Sequence, residues 1–379
     1  MNRVAVKRAL YRWAQDRSGI AATELAARFP NLREWEAGEA HPTLKQLEGF
    51  ARATWTPVGY FFLDRPPEER LPIPDLRSGR QRRRRPSPHL LDTIYICQQR
   101  QEWFRDYARA SGDEPLGFVG SLTPNTSVAA AAARMRKELG FDVDQRQARN
   151  VEDALREFAG RVEARGILMM RNGVVGSNTH RKLDPDEFRG FALSDDLAPL
   201  VFLNAADSKS AQMFTLAHEL GHLWLGRSAL DDSTAAAEPD NAVERWCNAV
   251  AAELLVPIVA LREEVQGRVN LTADLVRLVR RFKVSSLVIL RRLLDAGLIT
   301  RVAFKSAYDA ELERLPRRTG SSGGDFYRTE ISRVGRRFAS ALVTNTLEGH
   351  TLYKDAFRLL GISKDSTFTE LGHQLQAIA

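Results

Sequence analysis

The chain has 379 residues, of which 44% are hydrophobic and 27% charged, with a formal net charge of +7. This composition excludes a disordered chain and predicts a globular protein of two or three domains. The positive charge favours contact with a polyanion but does not identify one.

Neither a disulfide framework nor a membrane span is expected. The two cysteines, Cys97 and Cys247, lack the number and spacing of a disulfide or C-x-x-C motif, so each is predicted to be a small buried hydrophobe. The longest apolar runs fall short of the ~18 residues of a membrane span. Because the N-terminus lacks the apolar core of a signal peptide, we expect a cytoplasmic protein without a membrane partner.

Residues 1–64 have the pattern of short helices separated by turns. Leu10 and Trp13 lie on one face of a first helix, Leu25 belongs to a second helix after the Gly19 turn, and the capping box from Thr43 to Gln46 opens a later helix. Short helices joined by tight turns are what a helix-turn-helix unit requires. The first domain is therefore predicted to be a helix-turn-helix bundle.

The part of this bundle that would face a DNA groove is residues 31–36. Arg33 is its one candidate for reading bases, whereas Glu34, Glu36 and Glu39 would repel phosphate. Two interpretations stay open, a DNA-binding domain and a helical module of the same fold that binds protein.

Residues 65–90 are predicted to be a linker rich in proline and arginine, because the prolines prevent a regular element. The linker contains five arginines within six residues, and these are possible nucleic-acid contacts: Arg80, Arg82, Arg83, Arg84 and Arg85. The alternative is a solvated charge run, since no aromatic residues stand between the arginines to stack on bases.

A second domain is predicted over residues 91–315, with helices first and strands later. The expected helices cover residues 90–110, 127–140 and 150–166, and the expected strands cover 167–170, 188–193 and 199–203. Residues 188–193 are the candidate edge strand that could hold an extended substrate by backbone pairing. His180 is expected in a nearby polar loop, either as an oxyanion stabiliser or, the stronger interpretation, as a surface histidine.

An H-E-x-x-H motif follows these strands. His218 and His222 are four residues apart, so on a helix they share one face and can bind one zinc ion. Glu219 lies about 100° round the helix from its neighbour, where its carboxylate can act as a base without becoming a ligand. The alternative is a helix that carries two histidines by chance.

The third ligand is expected from a second amphipathic helix, and residues 210–257 therefore contain the two metal helices. Glu244 and Glu253 are the candidates on that helix. Glu244 is preferred because Asn248, one turn later, could hydrogen-bond to it or to a ligand. For Glu253, a charged residue near the end of a buried helix is the favoured interpretation.

Further helices are predicted after the metal helices. Residues 271–299 have helical periodicity and a helix-turn-helix look, although packing helices that complete the domain are favoured. Residues 316–324 are predicted to be a flexible loop and residues 325–379 a helical region. The fold class is thus mainly α with a small sheet, an α+β metal domain between an N-terminal bundle and C-terminal helices.

Two stretches resemble known families. The N-terminal stretch resembles an XRE-type helix-turn-helix domain through Leu25-Ala26, Trp35-Glu36-Ala-Gly38-Glu39, Pro42-Thr43 and Leu47-x-x-Phe50-Ala51. The later stretch resembles an ImmA/IrrE-type metallopeptidase through Phe214-Thr-Leu-Ala-His-Glu-Leu-Gly-His222, Glu244-x-x-Cys-Asn248 and Ala251-Ala-Glu-Leu-Leu-Val-Pro257. Residues 72–77, Pro-Ile-Pro-Asp-Leu-Arg, fit the subgroup in which the two are fused.

The second resemblance implies a gluzincin-like zinc endopeptidase, with His218, His222 and Glu244 as zinc ligands and Glu219 as the catalytic base. It also implies a role in stress, phage or mobile-element control, in which the protein substrate is a helix-turn-helix repressor. Two alternatives stay open, a non-enzymatic DNA-binding regulator and one component of a toxin–antitoxin pair.

Overall fold

The structure is a computed structural model, and it describes residues 3–77, 85–142, 148–231, 241–265, 270–314 and 326–376. The described chain is mainly helical with a small mixed sheet, as the sequence predicts. It divides into two compact units, one of Met1–Pro72 with Arg83–Ile94 and one of Ile73–Arg82 with Tyr95–Ala379. Among the described helices, none is long and apolar enough to cross a membrane.

The first unit is a bundle of short helices around an aromatic core. Its helices are α1 (Arg8–Ser18), α2 (Ala22–Arg28), α3 (Leu32–Ala37), α4 (Leu44–Ala53) and a 3-10 helix (Val58–Phe62). Thr43 and Gln46 form the predicted capping box at the start of α4. The rings of Tyr11, Phe50 and Phe61 pack against one another in the core.

The second unit contains the remaining helices, and α5 (Pro88–Ala110) enters it at Tyr95. The helices that follow, up to residue 255, are α6 (Val128–Leu139), α7 (Val151–Ala164), α8 (Lys209–Trp224) and α9 (Ala242–Leu255). Those that follow are α10 (Ile258–Glu264), α11 (Leu271–Phe282), α12 (Ser286–Asp295), α13 (Arg301–Arg314), α14 (Phe326–Val334), α15 (Arg336–Leu347), α16 (Tyr353–Leu360) and α17 (Asp365–Gln374).

A four-stranded sheet and a hairpin complete this unit. The strands are β1 (Leu168–Asn172), β2 (Val174–Val175), β3 (Asn178–Lys182), β4 (Gly190–Leu193), β5 (Leu200–Asn204) and β6 (Ala229–Asp231). The sheet order is β1-β5-β4-β6, with β1 parallel to β5 and the other pairs antiparallel, while β2 and β3 form the hairpin. All four residues of β4 and all five of β5 are buried, as expected of the strands against which α8 packs.

The prediction that residues 188–193 form an edge strand is wrong. Strand β4 lies inside the sheet, because β6 pairs with it on the side away from β5. Strand β6 in turn pairs with the linker: Leu76 donates its backbone N–H to the carbonyl of Leu230, and Leu230 donates to that of Pro74, both at 3.0 Å. Strand β6 is only three residues long, and no periodicity in the sequence distinguishes so short a strand from a loop.

Candidate metal centre

Helix α8 carries the H-E-x-x-H residues in the core of the second unit. Ser208 caps its start by accepting a hydrogen bond from the Ala211 N–H, and the chain leaves it through Gly226, whose φ is +66°. His218 and His222 lie one turn apart, and both side chains are fully buried. The helix thus presents two imidazoles on one face, as the sequence predicts.

Helix α9 brings a carboxylate to these imidazoles. Asn241 caps this helix by accepting from the Val243 N–H, which places Glu244 in the first turn. One carboxylate oxygen of Glu244 lies 3.1 Å from Nε2 of His218, and the other lies 3.2 Å from Nε2 of His222. Glu244 is 1% exposed, so water does not satisfy its charge.

The spacing of these groups fits a zinc ion. The Nε2 atoms of His218 and His222 are 3.1 Å apart, close to their distances from the carboxylate. Ligands of a tetrahedral zinc ion with bonds of about 2.0–2.1 Å lie roughly 3.3 Å from one another. Two imidazoles and one carboxylate are also a common ligand set of catalytic zinc sites.

The ionisation of the site favours a cation. Burial acts to raise the pKa of the Glu244 carboxyl, but hydrogen bonds and charge from His218 and His222 outweigh it and hold that pKa below its usual range. Burial lowers the pKa of the His222 imidazole. An ionised carboxylate buried between two imidazoles is a charge arrangement that a divalent cation neutralises.

Glu219 lies against strand β4. A Cβ atom added at Gly190 would stand 3.1 Å from Oε1 of Glu219, 2.7 Å from Cγ2 of Thr215 and 2.9 Å from the carbonyl oxygen of Phe202. Only glycine therefore fits at the start of β4 beside this carboxylate. The Glu219 side chain is fully buried, next to the metal-binding face of α8.

The two other predicted residues of α9, Asn248 and Glu253, have different partners. Asn248 lies at the site, with its side-chain oxygen 2.9 Å from Nδ1 of His218, so it contacts this imidazole rather than Glu244. Glu253 forms an ion pair with Arg292 and accepts a hydrogen bond from the Ile258 N–H. A charged residue near the end of a buried helix is thus the interpretation that the Glu253 contacts support.

The remaining predicted residues lie elsewhere. His180 is exposed as predicted, although it belongs to strand β3 rather than to a loop. Arg33 is exposed on α3, and Arg85 is exposed before α5. Arg80, Arg82, Arg83 and Arg84 lie outside the described residues, as does the predicted flexible loop at 316–324.

Sequence reasoning missed two residues at the site. Gly190 could have been found, because an isolated glycine inside a strand pattern signals a close approach of another group. Cys247 is buried, as predicted, but its Sγ atom also lies 3.8 Å from Nδ1 of His222. The spacing of Cys247 from Glu244 and Asn248 places all three toward one side of α9, which was the available signal.

A helix pair that joins two imidazoles and a carboxylate beside a small mixed sheet is an arrangement found in zinc metallopeptidases. Residues 162–294 match the family model Peptidase_M78, the IrrE N-terminal-like domain, which is a metallopeptidase family. Residues 334–374 match the model of a domain of unknown function, DUF8813. No curated protein matches the chain.

Proposed function

We propose that the protein is a zinc-dependent endopeptidase that regulates transcription by cleaving a helix-turn-helix repressor. The observation that carries the proposal is the convergence of His218, His222 and Glu244 within 3.1–3.2 Å of one another. The match of residues 162–294 to a metallopeptidase family supports the same chemistry independently of these distances.

Each residue of the site has a role in the proposed reaction. His218, His222 and Glu244 hold the metal, and Asn248 orients His218 through its Nδ1 atom. When bound there, zinc supplies a Lewis acid for the scissile carbonyl and acidifies water. The Glu219 carboxylate accepts a proton as the nucleophile forms and returns it to the leaving amine.

The regulatory part of the proposal rests on the first unit. Its short helices resemble those of an XRE-type domain, and helix α3 presents Arg33 to solvent. A module of this type joined to a peptidase suits a protein that acts on transcription factors. We assign the repressor as substrate on the resemblance of the metal helices to ImmA/IrrE-type peptidases, since an endopeptidase requires a protein substrate.

The test compares the wild type with Glu219→Gln in cells and in purified form. We expect the variant to keep about one zinc per chain, because Glu219 is not a proposed ligand, while proteolysis falls by about 10²–10⁴-fold. Zinc content is measured by elemental analysis. Cleavage is measured by sequencing the new protein N-termini that appear when each form is expressed.

The matched control is Glu102→Gln, which removes an exposed carboxylate from α5 and should leave both readouts unchanged. Loss of zinc in Glu219→Gln would contradict the role of Glu219 as base. If new N-termini appear equally with both forms, the protein is not the protease responsible. Retained binding to its own promoter with no Glu219-dependent cleavage would establish the alternative, a non-enzymatic DNA-binding regulator.

A further inference from the structure

Two neighbouring residues of α9 contact the two imidazoles on the nitrogen that faces away from Glu244. The Asn248 side-chain oxygen lies 2.9 Å from Nδ1 of His218, and the Cys247 sulfur lies 3.8 Å from Nδ1 of His222. Among the described residues, this sulfur is the hydrogen-bonding partner of His222 Nδ1. Helix α9 therefore contacts each ring twice, once with Glu244 at Nε2 and once at Nδ1.

Two arrangements of the thiol are chemically possible. His218, His222 and Cys247 each offer an atom within 4.8 Å of the others, so the thiol could be a metal ligand. The rings argue against this, because both Nε2 atoms face the carboxylate of Glu244 and the sulfur approaches His222 from the opposite nitrogen. A sulfur on the Nδ1 side can accept a hydrogen bond from the ring while Nε2 keeps its lone pair for the metal.

We propose that Cys247 is a positioning residue that holds His222 in the tautomer and orientation required for metal binding, and that it is not itself a ligand. This inference rests on the proposed metal site. The backbone opposite the thiol is Gly221 of α8, where an added Cβ would stand 3.2 Å from the Cys247 sulfur. Glycine at this position lets α9 approach closely enough for the contact.

The two imidazoles are consequently held with unequal strength. Sulfur is a weak acceptor, whereas the amide oxygen of Asn248 is a strong one at a shorter distance. His222 is therefore the ligand whose orientation depends more on packing around the thiol. Removal of such an outer partner typically lowers metal affinity by about 10–100-fold, and the weak acceptor places Cys247 near the lower end.

The test measures zinc affinity by competition with a chromophoric chelator for the wild type, Cys247→Ala and Cys97→Ala. Cys97 is the matched control, a buried cysteine whose sulfur contacts that of Met170 rather than a histidine. We expect affinity to fall about tenfold in Cys247→Ala and to stay unchanged in Cys97→Ala. Circular dichroism and thermal unfolding establish that both variants are folded, so that affinity is compared between folded molecules.

Cobalt substitution separates a positioning role from ligation. We expect cobalt-loaded wild type to lack the intense near-ultraviolet charge-transfer band of a cobalt–thiolate bond, and a strong band that disappears in Cys247→Ala would overturn the proposal. Equal zinc affinity of wild type and Cys247→Ala would also overturn it, while leaving the metal site intact. Failure of the wild type to bind zinc would instead overturn the proposed function itself.

Discussion

The two ends of α9 carry buried carboxylates that have opposite surroundings. Glu244 in the first turn is 1% exposed and faces two imidazoles, whereas Glu253 in the last turn is 8% exposed and faces the guanidinium of Arg292. Burial alone therefore does not identify a metal ligand. The permanent positive charge beside Glu253 completes its ion pair, while the imidazoles beside Glu244 carry no permanent charge.

The ion pair of Arg292 with Glu253 is part of a hydrogen-bond network that connects helices in the core. Besides the ion pair with Glu253, Arg292 donates from Nε to the carbonyl of Val256 at 2.9 Å, and Arg136 donates to the backbone carbonyl of Glu253 at 2.7 Å. These bonds tie α6 and α12 to the last turn of α9. The comparison predicts that one end of this helix controls stability and the other controls metal binding.

The largest expected effect is on stability, from Glu253→Ala. Removal of this carboxylate leaves the buried Arg292 guanidinium with Asp295, at 3.3 Å, as its remaining carboxylate partner, so the free energy of unfolding should fall by about 3–4 kcal/mol, the lower part of the range for a broken buried pair. Urea unfolding of the metal-free protein measures the change. The double variant Glu253→Leu with Arg292→Met should recover most of the loss, and equal instability of the single and double variants would refute this explanation.

Glu244→Ala should lower zinc affinity more than it lowers stability. Loss of one of three protein ligands should cost about 3 kcal/mol of zinc-binding free energy, which lowers affinity by more than about a hundredfold. The unfolding free energy of the metal-free protein should change less than in Glu253→Ala, because no permanent charge is left unpaired. Calorimetric titration with zinc measures the first quantity. Wild-type affinity in this variant would remove Glu244 from the ligand set.

The smallest effect is expected from Gly221→Ala, which tests the close approach of α8 and α9. The added Cβ would stand 3.2 Å from the sulfur and 3.5 Å from the Cα atom of Cys247. Overpacking of about 1–3 kcal/mol opposes the helix propensity of alanine, worth about 1 kcal/mol, so a net loss of about 1 kcal/mol is expected. Zinc affinity should fall a few-fold with it, since the ligands lie on both helices.

Gly160→Ala on α7 is the control, because a Cβ there meets no atom within 4 Å. It should raise the unfolding free energy by up to about 1 kcal/mol through helix propensity alone. Equal changes in the two variants would show that helix separation at the metal site does not depend on Gly221.

Local patterns in the sequence were sufficient for most of the longer elements and for the histidine pair. The four-residue spacing of His218 and His222 has a structural meaning only on a helix, and the apolar positions of α8 indicate one. The helices α5, α6 and α7 and the strands β1, β4 and β5 were also predicted near their observed positions. In these cases the periodicity of 3.6 or 2 residues carries the information.

The missed features depend on distant partners. Nothing near Glu253 in the sequence indicates Arg292, which is 39 residues later, so the choice between Glu244 and Glu253 could only be weighed. The position of β4 within the sheet depends on β6, which follows α8 in the chain. The contact of Cys247 with His222 depends on the relative placement of two helices. The sequence shows a cysteine in either case, whether it is only buried or also contacts an imidazole.

Both edges of the four-stranded sheet, at β6 and at β1, are covered by the chain itself. On one side, backbone hydrogen bonds join Leu230 of β6 to Pro74 and Leu76, and on the other, α14 packs against β1 with Gly335 beside the Met169 carbonyl. Within the described residues, this sheet thus offers no open edge strand to which a second molecule could add a strand. Uncontrolled self-association through strand pairing, a hazard for exposed sheet edges, is thereby suppressed at this four-stranded sheet.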